Sequence, residues 1–329
     1  MKDETIEESI SRYPDMIKDA SHLGLEMRAE PETSKIFVSG MGGSGISADI
    51  LKAYSREIRA GIPVFTVKDY HLPNFADEKS LVFIISYSGE TEETLSCYSD
   101  AMKKGAKIIA ITSGGKLEKI CESDNSGRTD AILIPQGMKP RAAMPYLFFP
   151  MLNVLANSGI LGEEIPYSEI IAAVRNSAIS EKSEEIAEAL YGRIPLIYTS
   201  QRFKPIGARW KSQFNENADI HAFCNVLPEM DHNEIMAFSN RDERFCPVFI
   251  GDENDFSRVN DAIRITKEMI AEKSASAELM LPSGKYLVNA FSAMYTGDLA
   301  SVIIAKKYGI DPSENLMISE YKRRMQERK

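Results

Sequence analysis

The chain has 329 residues, room for about two domains of ordinary size. Its apolar (43%) and charged (26%) fractions suit a soluble globular protein, and a net charge of −9 excludes the basic footprint of a nucleic-acid binder. No run of 18 apolar residues occurs, so no membrane span is expected, and the acidic start Met1-Lys2-Asp3-Glu4 lacks the apolar stretch of a signal peptide.

Residues 1–30 read as helical, because Ile6, Ile10, Tyr13 and Ile17 fall at spacings of three and four. Strand and helix then alternate. Short apolar runs predict strands at 35–38, 63–67, 81–85, 107–112 and 131–135, with helices at about 45–58, 91–104 and 143–157. Apolar strands without alternation, separated by helices, indicate a parallel sheet covered on both faces. Residues 158–190 are helical and rich in glutamate, and read as a connector. A second cycle follows: strands at 195–199, 247–250 and 277–281, helices at 205–217 and 257–273, and a long apolar helix at 285–308. The two halves echo each other in order and spacing. The expected fold is therefore α/β with two related units, residues 1–157 and 191–329, joined by 158–190. The four cysteines, Cys97, Cys121, Cys224 and Cys246, form no Cys-x-x-Cys pair. They point to reduced thiols and a cytoplasmic location, not to a disulfide frame or a zinc site.

Two loops of the first half carry the chemistry. Gly40-Met41-Gly42-Gly43-Ser44-Gly45 follows the first strand, and Ser86-Tyr87-Ser88-Gly89-Glu90-Thr91 follows the third. Each opens a helix, so each presents free backbone N–H groups at the positive end of a helix dipole, where an anion is held. Gly40-x-Gly42-x-x-Gly45 also satisfies the dinucleotide fingerprint, with Asp69 at the end of the second strand, and leaves an NAD(P)-dependent dehydrogenase open. The second loop favours a phosphomonoester. Ser44, Ser86, Ser88 and Thr91 supply four hydroxyls for its terminal oxygens. Capping by Ser88, with Glu92 or Glu93 in the first turn, is the competing explanation, and it uses the same N–H groups. The matching position of the second half, Thr199-Ser200-Gln201-Arg202-Phe203, is no phosphate cradle by pattern. With bulk charge largely screened beyond ~8 Å, these local donors must supply the affinity for an anion.

Gly42-Gly43-Ser44-Gly45 together with Ser86-Tyr87-Ser88-Gly89-Glu90-Thr91 resembles the sugar isomerase (SIS) domain, a module that binds phosphosugars. Pro140-Arg141-Ala142-Ala143-Met144-Pro145-Tyr146, the run Arg209-Trp210-Lys211-Ser212-Gln213-Phe214-Asn215-Glu216-Asn217-Ala218, and Asp231-His232-Asn233-Glu234-Ile235 narrow the likeness. Together they resemble the bifunctional phosphoglucose/phosphomannose isomerases over nearly the whole chain. The resemblance implies two SIS domains and interconversion of glucose 6-phosphate, and of mannose 6-phosphate, with fructose 6-phosphate through a cis-enediol(ate), without metal or organic cofactor. It implies that Gly42, Gly43, Ser44, Ser86, Ser88 and Thr91 hold the phosphate and that Glu216 shuttles the proton. Arg141 would place positive charge beside the enediolate, and His232 and Lys322 would open the ring.

The resemblance also implies a homodimer in which His232 reaches the neighbouring subunit's site. Each role has a plainer competitor. An ordinary helical glutamate is a solvated surface residue. Asp231 capping a helix with Glu234 three residues on would leave His232 merely exposed. Arg141 could form a surface salt bridge of little worth, and Lys322 could simply complement a helix C-terminus. One position departs from the family. Seven residues before the family's lysine, the bifunctional enzymes carry threonine and ordinary phosphoglucose isomerases glutamine; here it is Asn315. Asparagine is intermediate in bulk, so this position bears on mannose 6-phosphate turnover. A non-catalytic phosphosugar-binding regulator is the other reading, although residues 1–30 lack a basic DNA-binding segment.

Overall fold

The computed structural model describes residues 4–328. The first sheet has five parallel strands: β1 (Lys35–Ser39), β2 (Val64–Val67), β3 (Ser80–Ile85), β4 (Lys107–Thr112) and β5 (Thr129–Leu133), in the order β2-β1-β3-β4-β5. The second has four: β6 (Ile194–Ser200), β7 (Phe223–Leu227), β8 (Phe245–Asp252) and β9 (Ala277–Leu281), in the order β7-β6-β8-β9. The second order repeats the first with its last strand missing, so the internal echo is a true topological repeat. β3 is buried at all six positions, as a strand covered on both faces must be.

Helices α1 (Ile6–Ser11) and α2 (Tyr13–Ala20) open the chain, and Pro14 in the first turn of α2 splits the expected single helix. In the first unit α3 (Gly42–Glu57) and α6 (Met144–Asn157) cover one face of the sheet, and α4 (Glu92–Lys103) and α5 (Gly115–Ser123) the other. In the second unit α9 (Lys204–Asn217) and α11 (Tyr286–Tyr308) form the inner layer, and α10 (Ser257–Ala271) lies outside. One continuous apolar core runs between the two sheets, through α3, α6, α9 and α11. The glutamate-rich stretch read as a connector holds α7 (Tyr167–Val174) and α8 (Ala178–Leu190), and α8 packs along α11, burying Ile186, Ala187 and Leu190. Ser183 of α8 donates to the Thr296 carbonyl (3.1 Å). α11 has the length and composition to cross a bilayer, yet 72% of its most apolar window is buried inside the fold. It is the central core helix. A final helix, α12 (Leu316–Gln326), buries none of its residues within the chain.

Candidate active site

Ser39 of β1 pairs with Ile84 of β3, so the two loops leave the sheet side by side. β1 and β3 flank the point where the strand order reverses, and their helices leave to opposite faces. Open α/β sheets bind ligands in the crevice at such a point. The first loop winds straight into α3, which begins at Gly42, three residues earlier than the apolar pattern suggested. Met41 at its N-cap makes no side-chain cap, so the first N–H groups of α3 point outward uncapped. Gly42 has φ 53°, a left-handed conformation that favours glycine. Gly45 packs on Gly40: a Cβ added there would stand 2.6 Å from the Gly40 carbonyl oxygen.

The second loop corrects the capping expectation. Ser88 is not the N-cap of α4; Thr91 is, and its side chain makes no cap bond. The exposed Ser88 Oγ instead accepts from the Glu90 N–H (3.3 Å). Ser86 Oγ donates to Thr91 Oγ1 (2.9 Å), which leaves the Thr91 proton available to an acceptor. Ser44 and Ser86 are buried. Tyr87 ties this loop to the segment that carries Arg141: its hydroxyl donates to the Pro135 carbonyl (2.9 Å) and accepts from the Met138 N–H (2.9 Å).

Arg141 sits in a single 3-10 turn, Pro140–Ala142, and is 3% exposed, which rules out a surface salt bridge. The first loop leans on it directly. A Cβ at Gly43 would lie 3.1 Å from Arg141 Cα and 3.2 Å from the Pro140 carbonyl oxygen. The guanidinium reaches into the second unit. Its Nε donates to Asn217 Oδ1 (2.6 Å), its Nη2 to the Pro312 carbonyl (2.5 Å), and its Nη1 stands 3.8 Å from Glu216 Oε2.

Glu216 lies in the last turn of α9 and is partly buried, with its side chain 25% exposed. Burial pushes its carboxyl above the usual glutamate range, while Arg141, Arg209 and Lys322 pull it back. A carboxylate tuned upward beside a fixed cation is suited to taking and returning a proton. Burial in turn weakens the hold of Arg141 on its proton, and Glu216 and Asp219 oppose that effect. Lys322, on exposed α12, is within electrostatic reach of Glu216. Asn315 immediately precedes α12, and its Oδ1 is buried without a hydrogen-bond partner.

Behind this pair runs a buried network that sequence reasoning did not assign. Arg209 Nη2 donates to the Arg141 carbonyl (2.9 Å) and to Asp298 Oδ2 (2.6 Å). Gln213 donates to Asp298 Oδ1 (2.8 Å), and Asn217 Nδ2 to Ser301 Oγ (2.9 Å). Burial opposes the Arg209 charge, but Asp298 outweighs that cost and holds the guanidinium firmly protonated. Two signals were available: Arg209, Gln213, Glu216 and Asn217 share one face of α9, and Asp298 is the lone acid of the apolar helix α11.

His232 does not join this cluster within the chain. It is exposed on a 3-10 turn, Glu229–His232, after β7, and neither flanking acid caps a helix.

A family model described as "Bacterial phospho-glucose isomerase C-terminal SIS domain" matches residues 179–325, and one described as "SIS domain" matches residues 21–126. A bifunctional phosphoglucose/phosphomannose isomerase of Caldicellulosiruptor bescii is 35% identical over 97% of this chain and 98% of its own. That of Aquifex aeolicus is 35% identical over 84% of this chain and 86% of its own. The chain belongs to this family. A D-glucosamine-6-phosphate 4-epimerase of Sulfolobus acidocaldarius is also similar, at 31% identity over 95% of each chain. Among solved structures, a hypothetical protein of Thermus thermophilus superposes with a TM-score of 0.78 at 14% identity, covering 97% of this chain and 90% of its own. The C-terminal domain of a Francisella tularensis glucosamine-fructose-6-phosphate aminotransferase gives 0.76 at 15% identity, covering 94% of this chain and 98% of its own. These two likenesses show the shared α/β fold, and the two family models identify its halves as SIS domains.

Proposed function

We propose that the chain interconverts glucose 6-phosphate, and mannose 6-phosphate, with fructose 6-phosphate in the cytoplasm. The carrying observation is one line of contacts: Gly43 at the head of α3 touches Arg141, and Arg141 faces Glu216. A phosphate on the N–H groups of α3 and the hydroxyls of Ser44, Ser86, Ser88 and Thr91 would anchor the sugar. Glu216 then removes the C2 proton of the open-chain aldose and returns it to C1. The Arg141 guanidinium stabilises the oxyanion of the cis-enediolate between those steps. Lys322 and His232 serve ring opening. The chemistry moves only protons and requires no cofactor.

We further propose a homodimer, because His232 is exposed at the end of its 3-10 turn. One chain also leaves apolar residues uncovered, Met236 close after His232 and Leu316, Met317 and Tyr321 on α12. Fructose 6-phosphate turnover, coupled to glucose-6-phosphate dehydrogenase, is the direct test. Parallel arms use mannose 6-phosphate, with Asn315→Thr beside the parent, and glucosamine 6-phosphate. Glu216→Gln is expected to keep phosphosugar binding and to lose roughly 10²–10⁴-fold in kcat. Near-parental turnover in that variant removes Glu216 as the base. The acid limb of kcat/KM should lie above 4.5, the ordinary glutamate value, because burial raises the pKa of Glu216.

A further inference from the structure

The His232 turn is held from three sides, and its histidine alone is left out. Glu234 Oε1 accepts from the Tyr198 hydroxyl of β6 (2.7 Å), and Glu234 Oε2 from Asn225 Nδ2 of β7 (2.6 Å). On the other flank, Asp231 Oδ1 accepts from Thr266 Oγ1 of α10 (2.8 Å). Asn233 Oδ1 accepts the Glu234 N–H (2.6 Å). Met230, Ile235 and Phe238 anchor the same stretch in the small apolar cluster outside the second sheet, around Tyr198 and Phe249. Tyr198 and Thr266 are almost fully buried. Surface turns ordinarily move on fast timescales and have few such bonds. Here two carboxylates on either side of one histidine are fixed to three different elements. Among the described residues 231–234, His232 is the one whose side chain makes no hydrogen bond.

We propose that Tyr198, Asn225 and Thr266, acting through Glu234 and Asp231, are positioning residues that aim His232 at the active site of a second copy of this chain. This rests on the reading that His232 acts across the dimer. The clamp restrains the imidazole outward before the subunits meet, so the second copy receives a preorganised group. It leaves the phosphate loops and Glu216 of its own subunit untouched.

The test uses the full-length double variant Tyr198→Phe with Thr266→Val, in which both hydroxyls are lost and shape is nearly kept. kcat is expected to fall about 10–100-fold, as misplacement of a reacting group by about 1 Å does, with KM for fructose 6-phosphate within about twofold. Subunit mixing then decides. A mixed dimer with Glu216→Gln has one site that combines Glu216 from the double variant with an unperturbed His232 turn from the other subunit. Reassortment at 1:1 should therefore restore about a quarter of parental activity. His232→Ala mixed with Glu216→Gln is the reference. If that pair fails to complement, the reading of His232 across the dimer is wrong. If it complements but the double variant turns over like the parent, or gains nothing on mixing, the positioning role is overturned. Asn225→Ala, on the more open edge strand, replaces the double variant should the latter fail to fold.

Discussion

At the carboxyl edge of the first sheet, between β1 and β3, the chain places glycines, hydroxyls and the uncapped start of α3. At the same place in the second sheet, between β6 and β8, it places Arg202. This arginine donates to Glu57 through Nε and Nη2 (both 2.8 Å) and lies 2.8 Å from the fully buried Asp252. Its guanidinium also sits 5.3 Å from the centre of the Tyr286 ring and 5.7 Å from that of Phe203. Two equivalent positions in a repeated fold have thus taken opposite uses. One carries the glycines and hydroxyls on which we propose that a phosphate binds. The other is filled by the chain's own cation, balanced by its own acids. Glu57 ends the same helix, α3, whose first turn is the proposed phosphate cradle. The filled position therefore grips one end of that helix, and the open one uses the other.

Substitutions at the two positions should fail in different ways, and crossed results would break the comparison. The largest effect is expected from Gly43→Val. Its side chain must displace the Pro140–Arg141 backbone, which a Cβ alone would already approach to 3.1 Å. kcat/KM should drop by about 10²-fold or more with little change in thermal midpoint. Arg202→Met should do the reverse. It leaves Asp252 buried without its cation, at a cost of about 3 kcal/mol measurable by urea unfolding, with KM for fructose 6-phosphate moved only a few-fold. Ser86→Ala with Thr91→Val should raise KM by about tenfold, the worth of a hydrogen bond to a charged ligand, and leave kcat near the parental value.

The smallest effect concerns stability alone. Glu216 has a raised pKa when folded, so its ionised form carries a folding penalty that is fully present above that pKa and vanishes as pH falls to the unfolded value near 4.5. Glu216→Gln should accordingly melt slightly higher than the parent at pH 7, with the gap closing near pH 4.5.

The repeat, the parallel sheets and the two strand-to-helix turns after β1 and β3 were legible because buried strands and glycine turns write themselves locally. β7 was missed because it is an edge strand, exposed at Phe223 and interrupted by Asn225, with no apolar run to mark it. α5 was missed because it is short and polar and opens on two glycines, Gly114 at its N-cap and Gly115 at its first position, with φ of 144° and 79°. α3 began early because Gly42-Gly43-Ser44, poor helix formers, are wound into its first turn by the sheet edge beneath them. The Glu216–Arg141 pairing joins positions 75 apart in sequence, and only the packing of α9 and α11 against α3 and α6 brings them together. Local pattern carries no trace of such a meeting.

If the phosphosugar binds as proposed, the contact between Gly43 and the Arg141 backbone also acts as a gauge of substrate length. The anchor for one end of the sugar and the groups for the other are braced on abutting main chain, and α3 is tied down at its far end by Arg202. The span between them is therefore fixed. A phosphosugar one carbon shorter would rest its phosphate in the cradle and hold its carbonyl short of Glu216, so chain length is read by distance, before any hydroxyl is examined.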